Sequence, residues 1–214
     1  DPIWLIVWRG QNPPFTLTVF QVGGTGARPT KDGLNAVGFP SGVAGVPAEV
    51  IESLSPVVLK RRELRADSGG PGTWRGGLGQ LTEFARRGTG KWSVSSIADR
   101  TEFPAPGLLG GKAGARGEVS MDDGKKLHAK ALKDLTDSDV VHVNLPGGGG
   151  YGDPFERDPQ KILWDVIEGY VTAEAAEKNY GVAIRYQGDG QDLVKLPSDW
   201  HIDAARTAAL RREK

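Results

Sequence analysis

A run of four consecutive glycines between two prolines is the feature that most restricts how this chain folds. It occupies positions 146–154 and reads Pro-Gly-Gly-Gly-Gly-Tyr-Gly-Asp-Pro. Glycine loses more backbone freedom on folding than any other residue, so ordering such a run is costly. A folded chain keeps it where backbones approach closely or where backbone N–H groups bind a ligand. Further glycine clusters precede it at positions 69–72, 76–79 and 110–117.

The composition favours one packed domain and excludes several kinds of site. The chain has 214 residues, of which 31 are glycine and 38% are apolar, and six tryptophans indicate a core rather than disorder. Basic and acidic residues number 27 each, so the net charge favours neither nucleic acid nor a membrane as a partner. Cysteine is absent, which excludes disulfides, thiolate metal ligands and a cysteine nucleophile, and fits a cytoplasmic location.

Short apolar runs separated by turn residues predict strands over most of the first 150 residues. Segments 91–97 and 141–145 alternate with period two, as a strand buried on one face requires. After the glycine run the pattern becomes helical, because Asp158 is a good N-cap before Pro159 and an apolar stripe follows. We therefore expect an α+β fold, with a β-rich body over about residues 15–147 followed by a C-terminal helical segment.

Three helices are expected in that segment. The first ends at Gly169, the second begins after Thr172 and stops near Gly181, and the third runs from about Asp203 to Arg212.

The domain boundaries follow from the same patterns. Residues 1–17 are expected to be an N-terminal strand or an expression remnant, 18–185 the main domain, and 186–214 a connector with the C-terminal helix. The apolar stretch 1–8 is only about one strand long, well short of the ~20 residues that span a bilayer. Since it resembles neither a domain start nor a signal peptide, we expect the chain to be a fragment of a larger subunit rather than a naturally split subunit or a degraded copy.

Two chemical interpretations can be tested on the residues alone. Six residues starting at Asp67 imitate the nucleophile segment of trypsin-like proteases, but that mechanism requires a histidine before Ser68 in the chain, and none is present. A tight turn in which Asp67 or Ser68 bonds nearby backbone N–H groups is expected instead. The amides of the run at 147–150 suit an anion cradle, yet no lysine follows as a phosphate-binding loop would require. Close backbone approach is therefore favoured there, and anion binding remains the alternative.

Read in order, several motifs form one pattern. They are Gly23-Gly24-Thr25-Gly26-Ala27-Arg28 with Asp32-Gly33, Pro47-Ala48-Glu49-Val50-Ile51-Glu52, Asp67-Ser68-Gly69-Gly70-Pro71-Gly72-Thr73-Trp74-Arg75-Gly76-Gly77-Leu78-Gly79, Asp99-Arg100, Pro106 to Gly114, and Pro146 to Pro154 with Arg157, Asp165 and Tyr180-Gly181-Val182. This pattern resembles the C-terminal half of the hydantoinase B and 5-oxoprolinase family. The similarity covers about residues 18–185.

The resemblance implies ATP-dependent opening of a cyclic amide, a small-molecule substrate whose carbonyl is activated by phosphorylation before its C–N bond is hydrolysed. It implies two partners, an A-type hydantoinase subunit with ATPase activity and the N-terminal half of the B-type subunit. ATP and a divalent metal are expected in the complete complex. No cofactor and no metal ligand are assigned to this chain, because the family's metal motifs lie in the other half, and the isolated chain is expected to be inactive.

Candidate site residues follow from these motifs. The catalytic candidates are Asp67, Ser68, Arg75 and Arg100, and the backbone amides proposed to bind substrate or phosphate are those of Gly147, Gly148, Gly149 and Gly150. Each of the two arginines is also suited to tying a loop through a carboxylate or a carbonyl. Two functional alternatives stay open: a non-catalytic assembly module that docks the ATPase subunit, and part of a related ATP-dependent ketone carboxylase.

Overall fold

The computed structural model describes residues 2–130, 132–189 and 194–212. Within these ranges the strands are β1 (Ile3–Gly10), β2 (Phe15–Val22), β3 (Val57–Leu64), β4 (Gln80–Arg86), β5 (Trp92–Ile97), β6 (Glu118–Met121), β7 (Lys126–Leu127), β8 (Leu132–Leu135), β9 (Val141–Asn144), β10 (Ile184–Tyr186) and β11 (Trp200–Ile202). The helices there are α1 (Ala48–Leu54), α2 (Pro159–Ile167), α3 (Ala173–Tyr180) and α4 (Ala204–Arg212), with 3₁₀ turns at Pro154–Glu156 and Pro197–Asp199. The expected α+β class is confirmed.

Two antiparallel sheets form the body. One has the strand order β2-β1-β5-β8 and the other β3-β4-β9-β6-β7. Their buried side chains belong to one apolar core. Trp8 of β1 joins the two layers, because its ring lies 4.9 Å from that of Phe84 on β4 and 5.2 Å from that of Trp92 on β5, measured between centroids. Aromatic pairs at these separations add to the stabilisation that burial alone gives.

The period-two segments are strands with one buried face, as expected. In β5 every second residue is buried, and in β9 Val141 and Val143 are fully buried. A turn with Gly124 at a φ of +77° joins β6 to β7, because an Asp-Gly pair tolerates the positive φ angles that such a turn needs.

The first two C-terminal helices begin and end where their capping residues predict. Asp158 accepts a hydrogen bond of 2.9 Å from the backbone N–H of Gln160 at the start of α2, and Thr172 caps α3 in the same way. Gly169 and Gly181 follow these helices with φ angles of +72° and +64°. No helix in the described part of the chain is long and apolar enough to cross a membrane.

The expected boundaries differ from the structure at both ends. β1 is an inner strand of its sheet, between β2 and β5, so the body begins at Ile3 rather than near residue 15. No turn precedes its apolar run, so the sequence alone left open whether this run is a strand or an expression remnant. The boundary at 185 falls inside β10, which pairs with β11, so the tail holds a small sheet as well as helices. Residues 190–193 of the expected connector lie outside the described residues.

Candidate functional site

Five glycine-rich segments that are far apart in sequence pack together through their backbones. We call them the glycine bundle, and they comprise residues 23–27, 33–36, 68–79, 105–117 and 145–152. Hydrogen bonds run from segment to segment: Gly70 N–H donates to the Gly148 carbonyl over 2.8 Å, and Leu108 N–H donates to the Gly150 carbonyl over 2.9 Å. The segments therefore satisfy one another's backbone polar groups without forming a regular sheet.

The glycine run lies at the centre of this bundle, and no side chain fits there. An added Cβ would approach the carbonyl oxygen of Ser68 to 1.8 Å at Gly147, of Thr25 to 1.8 Å at Gly148, of Pro106 to 1.9 Å at Gly149 and of Pro71 to 2.1 Å at Gly150. Positions 147 and 150 thus face the same segment, 68–71, while the two glycines between them face two others. Close backbone approach is confirmed as a reason for the run.

The run's amides are mostly occupied within the bundle. Gly148 N–H donates to the Gly77 carbonyl and Gly150 N–H to the Lys112 carbonyl, each over 2.9 Å, and Gly147 N–H also has a carbonyl acceptor, at 3.2 Å. As placed, these three donors are not available to a phosphate or an oxyanion. Anion binding through these three amides would require the bundle to open.

Asp67 and Ser68 form the tight turn that the sequence predicted. The Ser68 hydroxyl is buried, donates to the Arg65 carbonyl over 2.6 Å and accepts from the Gly79 N–H over 2.9 Å. Asp67 has a φ of +59°, and its Oδ1 accepts from the Thr172 N–H over 2.9 Å, ahead of α3. Ser68 thus holds the bundle, whereas Asp67 is exposed and links the bundle to the helices.

Two arginines and two aspartates form a buried ion cluster between the bundle and α2. Arg157 donates to both oxygens of Asp32 over 2.7 and 2.9 Å, and to Asp165 on α2 over 2.7 Å. Arg75 Nε donates to the other oxygen of Asp165 over 3.3 Å, and its backbone N–H donates to Asp32 over 2.7 Å. Arg75, Arg157 and Asp165 are 3%, 2% and 6% exposed. Their charges cancel in pairs, which a buried position requires.

Burial and charge act in opposite directions in this cluster. Burial alone raises the pKa of Asp32, but the hydrogen bond and charge of Arg157, reinforced by Arg75, outweigh it and hold that pKa below its usual value. Burial lowers the pKa of Arg157, but Asp32 and Asp165 more than compensate and raise it. Burial raises the pKa of the Tyr180 phenol beside them, so that group stays neutral. Asp32 and Arg157 therefore keep their charges at neutral pH.

Comparison with known proteins identifies the family. A family model described as hydantoinase B/oxoprolinase matches residues 2–154, a range that holds both sheets and the whole glycine bundle. The chain belongs to the hydantoinase B/oxoprolinase family.

Relatives of this hydantoinase B/oxoprolinase chain are much longer. It is 38% identical over 168 residues to the uncharacterized protein MJ0963 of Methanocaldococcus jannaschii, covering 77% of this chain and 28% of that protein. It is 32% identical over 203 residues to the caprolactamase subunit beta of Pseudomonas jessenii, covering 86% of this chain and 33% of that subunit. The chain thus spans about a third or less of these relatives' length.

A solved structure shares the fold. The nucleotide-free structure of acetone carboxylase, solved to study ATP-dependent acetone carboxylation, superposes with a TM-score of 0.76 and 23% identity. The superposition covers 98% of this chain and 32% of that one. At this identity the likeness shows the fold, which is that of the hydantoinase B/oxoprolinase chain described above.

A cavity of about 270 Å³ lies where the glycine bundle of this family member meets α3. Asp67, Lys112, Asn179 and Tyr180 supply polar groups to its lining. Within the described residues the Tyr180 hydroxyl is buried without a hydrogen-bond partner. Of the predicted catalytic residues, Asp67 lines this cavity, whereas Arg75 lies in the ion cluster and Ser68 inside the bundle.

Arg100 lies apart from the ion cluster. Its φ is +54°, and its carbonyl accepts from the Gly117 N–H over 3.1 Å. The preceding residue, Asp99, accepts a hydrogen bond of 2.9 Å from the indole N–H of Trp4 on β1. The structure thus brings Arg100 to the body rather than to the junction with the helices.

Potential metal ligands do not gather in the part of the chain that the structure describes, since no group of three or more His, Asp or Glu side chains is arranged to hold a metal ion there. His142 has one carboxylate at each ring nitrogen, Asp122 at Nε2 over 2.6 Å and Glu83 at Nδ1 over 3.5 Å, so its nitrogens contact acids rather than a shared metal position. The two acids of the ion cluster are likewise occupied by arginines.

Sequence patterns missed the partners of Arg75. Asp32 and Asp165 were part of the family motifs but carried no sign of a shared site, because they are far apart in the chain. Tyr180 was recognised only as the end of a helix. Their one common signal was that each belongs to the family pattern.

Proposed function

We propose that this chain is the C-terminal part of the B-type subunit of an ATP-dependent cyclic amide hydrolase of the hydantoinase or 5-oxoprolinase type, acting with an A-type ATPase subunit. The family match over residues 2–154 carries this proposal, because that range includes every segment of the glycine bundle. A relative named as a caprolactamase subunit, which covers 86% of the chain, supports a cyclic amide as the substrate class. The cytoplasm is the compartment we propose for it.

In the proposed reaction, the carbonyl oxygen of the ring would take the terminal phosphoryl group of ATP, which the A-type subunit binds, and ADP would leave. Water then adds to the activated carbonyl carbon, the C–N bond breaks and the nitrogen takes up a proton. A second water releases the carboxylic acid and inorganic phosphate. A divalent metal would be held outside the described part of this chain, because no suitable group of ligands is present there. This chain would contribute a rigid wall, the glycine bundle, to which the ion cluster fixes α2 and the hydrogen bond from Thr172 to Asp67 fixes the start of α3.

The polar groups at the junction cavity are the ones best placed to contact a ligand. Asp67 and Lys112 lie in exposed positions at its lining, with the amide of Asn179 beside them. Arg75 and Ser68 are buried in contacts that hold the fold, so we retain them as positioning residues. Arg100 is retained as a catalytic candidate.

Ketone carboxylation is the second candidate. The solved acetone carboxylase structure superposes over 98% of this chain, so the same scaffold supports that alternative. An assembly role is the third, favoured by the occupied amides of the glycine run and by the buried contacts of Ser68 and Arg75.

The first two candidates can be separated by product. The complete complex is incubated with ATP and, in separate reactions, with hydantoin, 5-oxoproline, caprolactam, and acetone plus bicarbonate. Our proposal predicts ATP-dependent ring opening of at least one cyclic amide. Chromatography of the amino acid product measures it. Carboxylation of acetone without any ring opening would replace it with the second candidate.

A further inference from the structure

Three backbone segments of the glycine bundle pair side by side at its exposed edge, through Trp74, Tyr151 and Leu108. We call this row of three paired residues the rung. Tyr151 pairs with Trp74 on one side, through N–H to carbonyl bonds of 2.9 and 3.0 Å, and with Leu108 on the other. Residues paired directly across strands point to the same face. Leu108, Tyr151 and Trp74 therefore present two aromatic rings and one aliphatic side chain together.

The chain then turns sharply to present a second leucine. Gly111 N–H donates to the Leu108 carbonyl over 2.9 Å, and the two residues between them, Leu109 and Gly110, have φ angles of +50° and +94°. Two positive φ angles define a type I′ turn, where Asn, Asp or Gly is preferred at both positions. Leucine is disfavoured there, since a side chain in the left-handed region costs ~1–2 kcal/mol. Leu109 is nevertheless 76% exposed and Leu108 61% exposed.

The apolar surface continues onto α2. The Lys161 ammonium lies 4.3 Å from the centroid of the Trp74 ring, which its charge favours. Trp164, one helical turn later, is 56% exposed. We call Trp74, Leu108, Leu109, Tyr151 and Trp164 the rung surface, and its aromatic content is typical of protein interfaces.

The relatives' length indicates what covers this surface. The chain spans 28% of the archaeal relative, 33% of the caprolactamase subunit and 32% of the solved acetone carboxylase chain. In each of these proteins the unmatched polypeptide is therefore about two to two and a half times as long as the matched part. We expect some of it to pack on the shared fold. Because an exposed leucine held in a strained turn brings nothing to the stability of this chain alone, its place is explained by a contact outside it.

We propose that the rung surface docks the remaining portion of the B-type subunit, the part of the relatives that this chain does not match. This inference rests on the proposed B-type function. Docking would bury Leu108, Leu109 and Trp164 against apolar side chains of that portion and would fix it to the rigid edge of the glycine bundle.

Photo-cross-linking in the complete complex tests the occupant. A benzophenone amino acid replaces Leu109, and a matched control replaces Leu132, a leucine of β8 that is 64% exposed. Peptide mapping is expected to find cross-links from position 109 to the remaining portion of the B-type subunit, and none to it from position 132. Cross-links from 109 to a second copy of this chain or to the A-type subunit, or no cross-link at all, would overturn the proposal.

A substitution with opposite effects on stability and docking gives a second test. Asn is favoured in the left-handed region, so Leu109→Asn is expected to raise the thermal midpoint of the chain while weakening its association with the remaining portion about tenfold or more. Leu132→Asn should leave that association within about twofold. Unchanged association of L109N would exclude this docking site. A complex that cross-links as expected but opens no cyclic amide would overturn the proposed reaction and leave the interface standing.

Discussion

The guanidinium of Arg157 holds both carboxylate oxygens of Asp32, 125 positions earlier in the chain, with N–O distances of 2.7 and 2.9 Å. This two-point contact fixes the start of α2 to the loop that joins the first two segments of the glycine bundle. Asp165 on α2 and Arg75 in the bundle complete the same cluster. The helical tail and the β-rich body are thereby joined through buried charges.

Removing Arg157 should be among the most destabilising changes in the chain. Arg157→Met leaves the buried Asp165 and the partly exposed Asp32 with one arginine. Breaking a buried pair in this way costs about 3–5 kcal/mol. Urea unfolding, monitored by tryptophan fluorescence, measures the change in the free energy of unfolding. Arg206→Met is the matched control, because Arg206 pairs with Glu177 at the surface and should cost no more than about 1 kcal/mol. Equal losses for R157M and R206M would show that the cluster does not hold the tail.

Acid should remove the stabilisation that the charged Asp32 carboxylate gives to the fold. Its pKa is lowered in the folded chain, so the stability it gives is present above the unfolded value of about 3.9 and is lost as the pH falls through the folded value. We expect Asp32→Asn to be less stable than the native chain at pH 7 and the difference to shrink below about pH 4. Urea unfolding between pH 3 and pH 7 measures it, and a difference that stays constant over this range would exclude a charged Asp32.

The glycine run should not tolerate even a methyl group. Gly148→Ala would place Cβ 1.8 Å from the backbone oxygen of Thr25, so the two segments must separate, and we expect a loss of at least about 3 kcal/mol or failure to fold. Gly26→Ala is the control within the same bundle, because nothing lies within 4 Å of its Cβ position. The measurement compares the free energies of unfolding of the two variants. A G148A variant as stable as G26A would contradict the packing described here.

These contacts show why the sequence predicted the elements better than the site. Asp158, Thr172 and Gly169 cap helices through neighbours two or three positions away, so local patterns suffice to place the helix ends. Asp32 and Arg157 meet only because five glycine-rich segments bring distant loops together, and no periodicity records that. The sequence pattern therefore named Arg75 without its partners.

Substitutions that preserve the fold can separate catalysis from assembly. Asp67→Asn keeps an oxygen for the Thr172 N–H and suits the φ of +59°, and Arg100→Asn suits a φ of +54°. If these side chains contact substrate or activated intermediate, kcat of the complete complex should fall about tenfold or more while the free energy of unfolding changes by less than about 1 kcal/mol. Unchanged kcat in both variants would leave this chain an assembly module.

The most direct measurement is ATP-dependent ring opening by the complex assembled with and without this chain. The remaining portion of the B-type subunit and the A-type subunit are produced separately, and the 214-residue chain is added back to them. Our account predicts no ring opening in its absence, with activity restored in proportion to the chain added until it saturates. Ring opening at the same rate without the chain would contradict it.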